Sequence, residues 1–160
     1  KKRISQIIIE AFFGTLSSKK IVLLGYSFKP NTNDIRESPA IRIALDLIEN
    51  GANVFIHDPK VSESQIRNSI EIEKTYQKTK NSINGNWSYE KDLEKIVVDA
   101  DAIVTVTEWE VYLNLDWRGI NKLMRRPSWL FDTRGIINEK ELLDTEINFW
   151  QVGKGFVLKN

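Results

Sequence analysis

Two cations, Lys29 and Arg36, stand in a polar loop, YSFKPNTNDIRE, between an apolar run (IVLLG, residues 21–25) and a Ser38-Pro39 pair that opens a helix. In an open α/β sheet, ligands sit beyond the carboxyl ends of the strands, before the next helix begins. Cations held there meet an anion such as a diphosphate. A third cation, Arg134, comes two residues after Asp132 and follows another apolar run, residues 129–131. In a parallel sheet all carboxyl ends share one edge, so Arg134 and Lys29 are expected on the same side. The loop after Gly25 lacks the G-x-G-x-x-G spacing by which backbone approaches a pyrophosphate closely. Charged side chains must then do the binding, and self-sufficient dinucleotide binding is not expected.

Each candidate also has a plainer reading. Lys29 is read as a solvated loop lysine, and Arg36, between Asp34 and Glu37, as part of a local ion-pair cluster of the kind that adds little stability on a surface. Arg134 pairs internally with Asp132 on that reading. Thr32 and Asp34 suit loop-shaping hydrogen bonds. Asp58-Pro59, after the strand-like residues 54–56, reads as a turn starter. The one histidine, His57, has no second histidine and no cysteine with which to share a metal, so it reads as structural and no metal site is expected. Trp109, beside Glu108 on the expected ligand edge, either lines the site or caps the sheet. The other tryptophans read as packing residues. With no cysteine anywhere, the chain has no disulfide, no thiolate nucleophile and no sulfur-ligated metal.

The order of these residues carries a resemblance. Gly25, Phe28, Lys29, Thr32, Asp34, Arg36 and Ser38 fit the pattern G-x-x-F-K-x-x-T-x-D-x-R-x-S after a strand. His57-Asp58-Pro59-Lys60-Val61, Thr107-Glu108-Trp109 and Phe131-Asp132-Thr133-Arg134 follow in order. The chain resembles the carboxyl-terminal, nucleotide-sugar-binding domain of the UDP-glucose/GDP-mannose dehydrogenase family, and within it the subgroup that acts on UDP-glucose. The resemblance implies that Phe28, Lys29 and Arg134 contact the nucleotide sugar. It implies that Arg36 contacts NAD, a cofactor bound mainly by an amino-terminal domain. In the family a cysteine upstream of this domain forms a covalent thio-intermediate, so no catalytic residue is expected here. The implied whole-protein reaction is UDP-glucose plus two NAD giving UDP-glucuronate, with no turnover by this chain alone. Upstream NAD-binding and central domains of the same chain, and a homo-oligomer, are the implied partners. The rivals are another nucleotide sugar (GDP-mannose or a UDP-N-acetylhexosamine) and a non-catalytic nucleotide-binding module.

Composition agrees with one domain. The chain has 160 residues, 41% of them apolar, and 23 basic against 22 acidic side chains leave a net charge of only +1. Bulk charge therefore gives no reason to expect nucleic acid or an anionic membrane as partner. No run of 18 apolar residues and no leader-like start are present, so a soluble, cytoplasmic protein is expected. The start at Lys1 inside a helical pattern reads as a fragment: residues 1–18 lead in from an upstream region, and residues 19–160 form the domain.

The elements that must position the candidates follow from apolar spacing. Ile4, Ile7, Ile8, Ala11 and Phe12 predict a helix over 4–13, stopped by Gly14. Residues 21–24 predict a doubly buried strand. Ser38 as N-cap and Pro39 as first residue start a helix with the stripe Ile41, Ala44, Leu45 and Ile48, ending at Asn50-Gly51. The strand at 54–56 completes a βαβ unit with parallel strands. Residues 62–88 are polar and read poorly, with a partly mobile stretch and a short edge strand at 70–73 expected. A helix at 89–98, a strand at 102–106, a helix at 115–124 ended by Pro127, a strand at 129–131, a short helix at 139–143 and a strand at 147–152 follow. The predicted class is a three-layer, doubly wound, Rossmann-like α/β domain with a mainly parallel sheet of five to six strands.

Overall fold

In the computed structural model, which describes residues 3–77 and 85–159, the apolar runs become β1 (Lys20–Leu24), β2 (Asn53–His57), β3 (Asn86–Tyr89), β4 (Ala102–Thr105), β5 (Trp129–Asp132) and β6 (Asn148–Gln151). A seventh strand, β7 (Gly155–Val157), completes one sheet in the order β3-β2-β1-β4-β5-β6-β7. The first six are mutually parallel. Among the described residues only β7 runs antiparallel, turning back onto β6. Gly153 and Gly155, both at φ 82°, make that reversal. The expected doubly wound class is the one observed, with this hairpin strand as the addition.

The strands are apolar without a polar face because both faces are covered. Ile21 and Leu23 of β1 point into one core, Val22 and Leu24 into the other. Val54 and Ile56 of β2 and Val104 of β4 join the first core, while Ile103 of β4 and Leu130 of β5 join the second. The first core is roofed by α1 (Ile4–Ala11), α2 (Pro39–Glu49) and α3 (Glu63–Gln77). The second is roofed by α4 (Leu93–Ile96), a 3-10 turn at Glu110–Tyr112, α5 (Trp117–Leu123) and a 3-10 turn at Glu139–Leu142.

Helix ends follow local chemistry. Gly14, at φ 94°, closes α1 by donating to Ile9 O at 2.9 Å. Ser38 caps α2 by accepting from Ala40 N at 3.2 Å, and Pro39 fills the first turn. The buried stripe of α2 is wider than predicted, since Ala40, Ile43 and Leu47 join Ala44, Leu45 and Ile48 in the interior.

Three expectations need correction. The edge strand expected at 70–73 is part of α3, and the edge of the sheet is β3 instead. Ile66 and Ile70, one turn apart, are the two fully buried apolar anchors of that helix, too few to reveal a period in a polar sequence. The helix expected over 89–98 shrinks to Leu93–Ile96, because Tyr89 pairs with Ile56 in the sheet and Asp92 caps Glu94 N and Lys95 N. The third lies at 115–124, where Asp116 caps Gly119 N and delays the start of α5 to Trp117. Of the stretch expected to be partly mobile, residues 78–84 lie outside the described residues. No helix among the described residues is long and apolar enough to cross a membrane.

From β1 the chain winds one way to β2 and β3, and from β4 the other way to β5 and β6. The junction of β1 and β4 is the point at which an α/β sheet of this kind opens a ligand crevice.

Candidate functional site

That crevice is packed shut. Gly25 has φ 100°, and a Cβ built on it would lie 2.4 Å from Thr107 Cβ, so glycine is required here for packing. Thr107 donates its hydroxyl to Ser27 O at 2.8 Å. Trp109, 6% exposed, donates its indole N–H toward Ser27 Oγ at 3.1 Å and Asp58 Oδ2 at 3.2 Å. Of the two readings of Trp109, capping the sheet is the one observed. The N-terminus of α2 offers little to a phosphate as well. Pro39 has no N–H, Ala40 N is taken by Ser38 Oγ, and Ile41 N donates to Ser38 O at 3.3 Å. An anion at this edge must be met by side chains.

The loop that carries Phe28, Lys29 and Arg36 is tied at both ends. Ser38 Oγ donates to Tyr26 O at 2.7 Å, and Phe28 N donates to Asp34 O at 2.7 Å. Thr32 Oγ1 accepts from Asp34 N at 3.1 Å, and Gln65 of α3 donates to Asn33 O at 3.0 Å. Thr32 and Asp34 thus shape the loop. Arg36 clamps Asp34 with Nε at 3.0 Å and Nη2 at 2.8 Å, while its own side chain stays 87% exposed. Hydrogen bonds from the Arg36 side chain and backbone hold the Asp34 carboxyl down at about 2, and the same pairing raises the guanidinium. Phe28 is 47% exposed beside an exposed Lys29, which has no ion pair among the described residues.

Two buried carboxylates organise the edge. Asp58, 2% exposed, accepts from Tyr26 N and Ser27 N of the β1 loop, from Lys60 N and Val61 N of its own turn, and from Trp109. It therefore starts the turn after β2 and also joins three loops. Asp132, fully buried at the end of β5, accepts from Thr105 Oγ1, Arg134 N, Gly135 N, Ile137 N and Gln151 Nε2. Burial pushes the Asp132 carboxyl up, but these donors together outweigh it and leave it below the usual carboxylate range. His57 is buried, with Nδ1 2.7 Å from the Tyr112 hydroxyl, and burial pushes its imidazolium down and the Tyr112 phenol up. Among the described residues no group of three or more acidic or histidine side chains could hold a metal.

Arg134 meets Asp132 only through its backbone. Its guanidinium goes to Glu108, with Nε donating to Oε2 at 2.8 Å and Nη2 2.8 Å from the same oxygen. The internal partner expected in Asp132 is thus Glu108, because Asp132 faces inward to collect backbone amides while the arginine points out. Lys29 follows β1 and Arg134 follows β5, with β4 between them. Two strand spacings put the two supports about 10 Å apart. Sequence reasoning read Asp58 as the turn starter it is but missed its grip on the β1 loop and Trp109, and it missed Glu108 as the partner of Arg134. Their signals, an acid one residue past the end of β2 and a Thr-Glu-Trp block beyond β4, are legible only once the strand order is known.

A model of the UDP-glucose/GDP-mannose dehydrogenase family, UDP binding domain, matches residues 22–139. The chain belongs to this family. A UDP-glucose 6-dehydrogenase of Drosophila melanogaster is 35% identical over 159 residues, covering 98% of this chain and 33% of that protein. A solved UDP-glucose dehydrogenase from Pyrobaculum islandicum shares 25% identity with a TM-score of 0.62, over 91% of this chain and 28% of that one. An NDP-N-acetyl-D-galactosaminuronic acid dehydrogenase from Methanosarcina mazei superposes at TM-score 0.71 with 20% identity, over 94% and 28% of the two chains, and shows the fold alone. The chain spans about a third of the length of the curated relatives it matches. The family's UDP binding domain accordingly occupies most of this molecule.

Proposed function

We propose that this chain is the nucleotide-sugar-binding part of an NAD-dependent UDP-glucose 6-dehydrogenase, which converts UDP-glucose and two NAD to UDP-glucuronate. Residues 19–160 form the binding domain, and residues 1–18 lead in from upstream NAD-binding and central domains of the same chain. The observation that carries the reading is an exposed Phe28 beside an exposed Lys29 ammonium that makes no ion pair among the described residues, on the family's UDP binding domain. Phe28 supplies an apolar face for the ligand, and Lys29 supplies a point charge for the diphosphate. Arg134, on the same edge, contributes donors in a planar fork that suits phosphate oxygens. Closed packing at Gly25 and the occupied amides of α2 support side-chain recognition.

Arg36 faces the cofactor on this reading. Its clamp on Asp34 uses Nε and Nη2; the side chain is 87% exposed, and Nη1, which makes no hydrogen bond among the described residues, keeps its donors for a group on another domain. NAD, held mainly by another domain, would supply the hydride acceptor for oxidation at C6 of the sugar. The chain's own contribution is to bind and orient the sugar nucleotide, and correct orientation lowers a barrier substantially. It holds no thiolate nucleophile, since it has no cysteine, and alone it is expected to give no turnover. Cytoplasmic action and assembly as a homo-oligomer go with the same reading.

Calorimetric titration with UDP-glucose, UDP and GDP-mannose tests the assignment. Uridine ligands should bind best, and Lys29→Ala or Arg134→Ala should each weaken binding by roughly 10- to 100-fold with the far-UV dichroism unchanged. Tighter binding of GDP-mannose than of UDP-glucose would sink the choice of sugar nucleotide.

A further inference from the structure

We infer that Glu108 is a positioning residue that aims Arg134 at the nucleotide sugar; this rests on the reading of Arg134 given above. Glu108 is the one outward-pointing member of a locked segment. Thr107 before it is 1% exposed and bonded to Ser27 O, and Trp109 after it is buried and bonded to Ser27 and Asp58. The backbone of Glu108 therefore has little freedom. Across from it, Thr133 Oγ1 donates to Thr105 O at 2.6 Å and Arg134 N to Asp132 Oδ1 at 3.1 Å, so the β5 turn is locked onto the β4 edge as well. The contact between Glu108 and the guanidinium then joins two fixed backbones through one long side chain.

That contact leaves the arginine usable. Nε and Nη2 face Oε2, while Nη1 makes no hydrogen bond among the described residues. A guanidinium pinned on one edge keeps its other edge for a ligand, and the rotamer freedom it would otherwise lose on binding is already lost. The competing account is that the carboxylate repels an incoming diphosphate. At 39% and 31% side-chain exposure for Arg134 and Glu108, solvent screens that repulsion, whereas pinning acts at contact distance. The two accounts predict opposite signs for loss of the charge.

The test is steady-state kinetics with UDP-glucose on the full-length dehydrogenase carrying E108A, E108Q, R134A and the E108A/R134A double change. E108A should raise KM for UDP-glucose ~10-fold, and E108Q, whose amide oxygen can still accept from Nε, should stay within about threefold of the parent. R134A should raise KM ~100-fold, and adding E108A to it should change nothing further. The thermal midpoint of E108A should match the parent, because the pair is partly exposed. A KM lowered by E108A or E108Q, an E108A effect that adds fully to R134A, or a silent E108A beside a strong R134A would overturn the inference alone. A silent R134A, or a parent protein that does not turn over UDP-glucose, would overturn the site reading and the inference with it.

Discussion

The turn after β5 and the loop after β1 bring cations to the same edge of the sheet by opposite means. The β5 turn is short, and three of its amides, at Arg134, Gly135 and Ile137, converge on the buried Asp132. Arg134 is carried by backbone with no slack. The β1 loop runs over residues 26–38 and has only surface carboxylates, Asp34 and Glu37, inside it; its buried anchor, Asp58, belongs to the turn after β2 and within this loop grips Tyr26 N and Ser27 N. Lys29 and Phe28 therefore project from a loop that is fixed at its root and exposed at its tip. One half of the site is rigid, and the other can adjust to what it holds.

The largest effect should come from breaking the rigid half. Asp132→Ala removes the acceptor of five donors in the interior and should cost about 3–5 kcal/mol in denaturant unfolding, the range for stripping a buried charge-assisted network. Asp132→Asn should cost less but should also change the acid response. The folded Asp132 carboxyl lies below its unfolded value, so on acidification the unfolded chain takes up the proton first. The stabilisation is complete above the unfolded value of about 4 and is lost as pH falls through the lower, folded one. Unfolding curves from pH 6 downward should therefore drop less steeply for Asp132→Asn than for the parent; equal slopes would mean that this carboxylate is not the one the turn depends on.

Next in size is the junction between the two halves. Gly25→Ala puts a Cβ against Thr107 at a left-handed backbone position, and about 2–4 kcal/mol of destabilisation is expected from strain and overpacking together. Gly25→Ala in a Thr107→Ser background should recover little of the loss, since the atoms that the added Cβ meets, Thr107 Cβ, Oγ1 and N, all remain in serine. If Gly25→Ala unfolds no more easily than the parent, the crevice is not closed as described.

Most of the frame was legible because apolar runs and caps are local signals. Ser38-Pro39 and Asn50-Gly51 bracket α2, and β1, β2 and β4 stand where short apolar runs place them. α3 was illegible, as its core contacts come from two isoleucines within a polar helix whose other face meets water. β7 was missed although Gly153 and Gly155 mark its turn, since three residues of strand carry no period of their own. At the site, the cations could be read from type and spacing, but their partners could not. That Arg134 meets Glu108 and not Asp132 depends on β4 lying beside β5, a fact of strand order that neither segment contains.

The adjustable half should respond in binding and not in stability. Lys29→Ala removes an exposed side chain with no ion pair among the described residues, so the unfolding midpoint should hold while affinity for UDP falls roughly 10-fold or more. A matching loss of stability would show that the tip of the loop is not free, and the contrast with the β5 turn would fail.

Arg36→Ala is the smallest change and separates two roles within one loop. Its clamp on Asp34 is exposed to solvent, so the midpoint should not move. The loop closure by Phe28 N on Asp34 O is made by backbone and survives the substitution, which leaves Phe28 and Lys29 in place. UDP-glucose KM in the full-length dehydrogenase should accordingly stay within about twofold of the parent, while KM for NAD rises ~10-fold. The reverse pattern, with the sugar nucleotide weakened and NAD untouched, would assign Arg36 to the same ligand as Lys29. The loop would then serve one ligand along its whole length, where the proposed division gives its tip to the sugar nucleotide and its far end to a cofactor held by another domain.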